Sequence, residues 1–121
     1  MTERETIEAK CPPSVGAMLR RRVQLTPARP AFQYPDVRNT WQTYTWSDVG
    51  EIAEAVAAAL LNAGVGHEQR VAIASATRVE WIIGCYGVAL AGAATTTIYP
   101  NTTDEDVAFI LSDSGSVVAF V

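Results

Sequence analysis

Residues 44–121 decide the fold: YTWSDVGEIAEAVAAALLNAGVGHEQRVAIASATRVEWIIGCYGVALAGAATTTIYPNTTDEDVAFILSDSGSVVAFV. Turn signals cut this stretch into runs of helical and strand periodicity that alternate to its end. Ser47 reads as a helix cap with Asp48 and Glu51 in the first turn, and Val49, Ile52, Ala53, Val56 and Leu60 then recur on one apolar face. Gly64 supplies a left-handed stop. Beyond the polar loop GHEQR, residues 71–74 are a short apolar run of the kind buried on both faces of a parallel sheet. A helix over 80–91 follows, apolar nearly all round, in which Gly84 and Gly87 permit close backbone approach and after which Gly92 ends the turn. Residues 95–99 give a second strand before Pro100. Thr102 and Glu105 have capping-box spacing for a helix that runs to residue 113 and stops at Gly115, and residues 117–121 begin a third strand. Strand, helix, strand, helix, strand with short connections predicts an α/β fold, with βαβ units forming a parallel sheet flanked by helices. Such a sheet needs both edges and its ligand loops before it can do chemistry, so it is expected to be an incomplete part of a larger domain.

Upstream, residues 1–13 are polar and unpatterned and are expected to be a flexible arm. Ser14 offers a cap for a helix carrying Val15, Met18, Leu19 and Val23, which Thr26 and Pro27 end. Residues 31–34 and 41–46 alternate and are rich in aromatic and β-branched side chains, so they read as a small amino-terminal β-hairpin around the turn PDVRNT. The expected organisation is one partial domain over 1–121: the arm, a helix plus hairpin over 14–46, and the alternating portion over 47–121.

Composition narrows the function classes. Nine basic and 13 acidic residues leave a net charge of −4, which gives no electrostatic basis for a general grip on nucleic acid. Arg20, Arg21 and Arg22 are a local exception, read as cations complementing the carboxyl end of their helix. Cys11 and Cys85 lie in dissimilar surroundings and suggest no disulfide framework; Cys85 is expected to be a small buried hydrophobe. The charged start lacks the apolar core of a secretory signal, and residues 81–94 are too short to span a bilayer, so a cytoplasmic protein is expected.

Signatures of chemistry are sparse. The strand VAIAS is followed by ATRVEW, without a glycine-rich phosphate turn, and neither a P-loop nor a nucleophile elbow occurs. His67, the single histidine, reads as a solvated loop residue. Asp104, Glu105 and Asp106 are grouped like metal ligands but share a first helical turn, where negative charge is favourable. Thr95, Thr96 and Thr97, with Ser75 and Thr77, stand near the strand ends where open α/β sheets bind ligands; strand propensity and loop polarity account for them more simply. TPARP has PxxP spacing but here ends a helix.

The same residues resemble the amino-terminal region of the AMP-forming acyl-CoA synthetases, in the adenylate-forming superfamily. LLNAGVGHEQRVAI is similar to the family's helix, turn and first core strand, with Gly64, Gly66, Arg70 and Val71 at matching places. VEWIIGCYGVALAGA, DEDVAFILSDSG and TPARPAF match three further segments, and TTTIYPNTT with WQTYTW is more like the long-chain fatty-acid branch. Ala76 to Val79 depart from the family's Asn-Ser-Pro-like lead into Glu80 and Trp81. The resemblance implies a parent fatty-acid–CoA ligase that uses Mg-ATP to form an acyl-adenylate, releases pyrophosphate and transfers the acyl group to coenzyme A. The family's phosphate loop, adenylate-binding set, hinge and catalytic lysine lie beyond the segments matched here. Residues 1–121 are therefore expected to hold no catalytic, cofactor-binding or metal-binding residue, to be inactive alone, and to partner the remainder of the enzyme. A membrane-peripheral location stays open for the full-length enzyme. If the chain stands alone, an unpaired edge over 117–121 and a bare helix face over 81–90 predict self-association. The competing readings are a stand-alone α/β interaction module and, third, a small nucleotide-binding α/β domain.

Overall fold

The computed structural model of the chain describes residues 2–121. Two sheets form: an antiparallel hairpin of β1 (Pro30–Pro35) and β2 (Trp41–Thr45), and a parallel three-stranded sheet of β3 (Arg70–Ala74), β4 (Ala94–Ile98) and β5 (Val118–Phe120) in the order β4-β3-β5. Five helices surround them: α1 (Glu3–Lys10), α2 (Val15–Leu25), α3 (Trp46–Asn62), α4 (Val79–Leu90) and α5 (Asp104–Ser114). The central strand explains the apolar run in the sequence. Val71 pairs with Thr95 on one side and Val118 on the other. Val71, Ala72 and Ile73 are exposed by only 0%, 0% and 3%, so successive residues are covered on both faces.

Strand order also sets where the helices go. The chain steps from β3 to β4 on one side and then back past β3 to β5. Right-handed crossovers taken in opposite directions place α4 and α5 on opposite faces of the sheet. On the α4 face, α3 lies against α4, with α2 packed on both. Leu19, Val49, Ala53, Val79 and Ile83 make one apolar cluster there, onto which the hairpin folds Phe32, Tyr34 and Tyr44, joined by Trp46 at the start of α3. Phe32 meets Trp46 edge to face at 5.8 Å, and Tyr34 stacks on Tyr44 at 4.9 Å. A second cluster of Leu60, Val65, Val71 and Val88 joins the helices to the sheet.

Several local expectations are corrected. Residues 3–10 form α1 where a flexible arm was expected: Thr2 Oγ1 accepts from the Glu5 amide at 3.2 Å, and Glu5 Oε2 accepts from the Thr2 amide at 2.6 Å. Thr45, not Ser47, caps α3. Its hydroxyl accepts from the Asp48 amide at 3.2 Å while Asp48 Oδ2 accepts from the Thr45 amide at 2.8 Å, a reciprocal box built on the last residue of β2. Thr103, not Thr102, caps α5, accepting from the Asp106 amide at 3.3 Å. Ile52, placed on the α3 core stripe from the sequence, is 36% exposed, and Ala57 is buried instead, as is Gly50. The face expected to be bare, on α4, is covered by α2 and α3. It is α5 that buries none of its residues, and Phe109 on it is 66% exposed. The Ser14 cap, the hairpin and the glycine stops fall where the sequence put them; Gly64, Gly92 and Gly115 have φ of 84°, 74° and 62°.

Candidate functional site

A cleft of about 350 Å³ opens at the carboxyl ends of β3 and β5, the edge where open α/β sheets receive ligands. Five elements line it. Ile73 and Ser75 come from the end of β3, Phe120 from β5, and Trp81, Ile83 and Gly84 from the first turns of α4; Ile52 and Val56 of α3 and Tyr44 of β2 close the side. Its walls are mainly apolar, and Tyr44, Ser75, Arg78 and Glu80 are the polar residues that line it. Arg78 leads into α4 without a side-chain cap, and its guanidinium donates from Nε and Nη2 to the two carboxylate oxygens of Glu80, both at 3.2 Å. Both side chains are well exposed, so this pair is worth at most about 1 kcal/mol. It does occupy the one cation among the described lining residues.

Beside the cleft, Tyr34 stacks on Tyr44, which lines it. The Tyr44 hydroxyl, with lesser help from burial and from Glu80 and Asp36, pushes Tyr34 up to about 12. Tyr34 is therefore neutral throughout the physiological range. On the hairpin turn, Asp36 Oδ1 accepts from the Thr40 and Arg38 amides at 2.9 and 2.8 Å, which holds its carboxyl below the usual carboxylate range. That carboxylate braces the turn in which Asn39 takes a positive φ of 59°.

The residues weighed in the sequence do not converge. Ser75 reaches the cleft, but its hydroxyl donates to the Ala76 carbonyl at 3.0 Å; Thr77 lies on the exposed loop outside it. His67 is 82% exposed, 3.7 Å from Glu68, on the opposite edge of the sheet, next to Gly92. Asp104, Glu105 and Asp106 occupy the first turn of α5. Thr95 and Thr97 are exposed along the edge strand β4, with Thr96 half-buried between them. Cys85 is half-buried rather than enclosed; burial pushes its thiol up, partly offset by the Thr95 hydroxyl. Arg22 is in the last turn of α2, while Arg21 turns back to donate to the Lys10 carbonyl at the end of α1.

Arg70 was singled out only through the resemblance, and the structure gives it a task. Its Nε donates to the Ser114 carbonyl at 2.5 Å, and its backbone carbonyl accepts from Val117 at 2.9 Å. α5 has three acids in its first turn and no base in its last, so this guanidinium, 44 residues away in sequence, supplies the cation its carboxyl end lacks. Nothing in the local sequence of α5 could have revealed it. The cleft was equally hidden, because its walls come from strands and helices scattered from residue 44 to residue 121.

A doubly wound parallel sheet with a ligand edge at its strand ends, preceded by a helix and hairpin that pack on its helical layer, defines an α/β ligand-binding architecture. The chain belongs to the AMP-binding enzyme family, whose pattern matches residues 19–121. It is similar to Long-chain-fatty-acid–CoA ligase FadD15 of Mycobacterium bovis, 36% identical over 84 residues, covering 69% of this chain and 14% of that protein. It is also similar to Long-chain-fatty-acid–CoA ligase FadD13 of Mycobacterium tuberculosis, 35% identical over 107 residues, covering 87% and 20%. Among solved structures, Mycobacterium tuberculosis fatty acyl CoA synthetase superposes with a TM-score of 0.78 at 32% identity, over 88% of this chain and 20% of that one. The chain thus spans 14–20% of the length of these relatives.

The residues present do not suit the nucleotide such enzymes take. A phosphate cradle needs several converging amides or free cations. Here the loop after β3 turns Ser75 onto its own backbone and commits Arg78 to Glu80. Among the described residues, no three His, Cys, Asp or Glu side chains are grouped so as to hold a metal ion. No step through Mg-ATP is assigned to these residues.

Proposed function

We propose that residues 1–121 are the opening part of the large adenylating domain of an AMP-forming fatty-acid–CoA ligase. The parent reaction is attack of a fatty-acid carboxylate on the α-phosphorus of Mg-ATP, which releases pyrophosphate, followed by attack of the coenzyme A thiol on the acyl-adenylate, which releases AMP. The observation that carries this reading is the agreement of sequence and fold with long-chain fatty-acid–CoA ligases over nearly nine tenths of the chain.

Within that enzyme, this segment is one partial domain whose role is scaffolding: it contributes no catalytic, cofactor-binding or metal-binding residue. Its partner is the rest of the same polypeptide, and the enzyme works in the cytoplasm. No helix among the described residues is long and apolar enough to cross a membrane. Alone, the segment is inactive and self-associates, because both outer strands of its sheet have a free edge and α5 has no cover.

Extending the reading frame past Val121 tests the proposal. A continuous frame encoding a Ser/Thr/Gly-rich phosphate loop is expected. A natural stop codon at that point would overturn the proposal in favour of the stand-alone interaction module.

A further inference from the structure

We draw no further inference here: the strongest candidate, the apolar groove along α2 formed by exposed Val15, Met18 and Leu25 above Trp46 and Tyr86, carries nothing because the structure does not show what covers it.

Discussion

At Gly87 the lack of one carbon atom decides how closely α3 and α4 approach. A Cβ built there would fall 2.6 Å from Val56 Cβ and 3.2 Å from the Ala53 carbonyl oxygen, in contact with a branched side chain and a backbone that have little room to move. Gly84, one turn earlier, has only Ile73 Cδ1 near, at 3.7 Å. The two glycines look alike in the sequence and should respond oppositely. Gly87→Ala is expected to destabilise the chain by about 1–3 kcal/mol through overpacking. Gly84→Ala should stabilise it by about 0.5–1 kcal/mol through helix propensity. Chemical denaturation of the two variants checks this, and equal effects would show that the helix crossing is looser than described. The sequence revealed that close approach was possible at both positions; only the packing reveals which one uses it.

Elements were more legible than their boundaries. Every strand and helix of the alternating portion was readable, because apolar period and glycine stops agree along it. Helix starts were misplaced where two hydroxyl residues compete. Thr45 lies at the end of a β-branched and aromatic strand, so it reads as strand; Ser47, two residues later, looks like the better cap. The deciding feature is Asp48, which reaches back to the Thr45 amide and hydroxyl, both at 2.8 Å. Those bonds hold Asp48 below its ordinary pKa, the bond from the Thr45 amide being the larger cause. A depressed carboxylate adds stability above its unfolded pKa and loses it as pH falls through the folded value, so this contribution fades only in acid, below about pH 4. Thr45→Ala is expected to lower stability by about 1 kcal/mol near neutral pH, and Ser47→Ala by less than about 0.5 kcal/mol. Thermal melts of both variants read the difference; a larger loss at Ser47 would return the cap to that residue. α1 illustrates the opposite failure. Its Thr2 to Glu5 capping spacing was present in the sequence, but charge and the lack of an apolar face hid it.

Over the whole molecule, apolar surface is unevenly covered. The α4 face carries three helices and a hairpin, whereas α5 stands with Phe109 exposed and meets the sheet mainly through β4. Periodicity shows that a helix has an apolar face but not whether another element packs on it, so the sequence points to α4 as the bare one. The same blindness applies to the cleft, since chemistry in such folds is assembled from strand ends that no local motif joins. Sedimentation velocity on the 121-residue chain is expected to show concentration-dependent oligomers built through the open sheet edges and α5. A single monomeric species across the accessible concentration range would contradict that picture.

In the proposed enzyme this segment supports adenylation without performing it. Fatty-acid-dependent exchange of pyrophosphate into ATP, measured on the protein expressed from the extended frame and on the 121-residue chain side by side, tests it most directly. Exchange that requires a fatty acid is expected in the extended protein, and none in the short chain. Exchange by the short chain, or an extended protein that exchanges with no fatty acid tested, would contradict it.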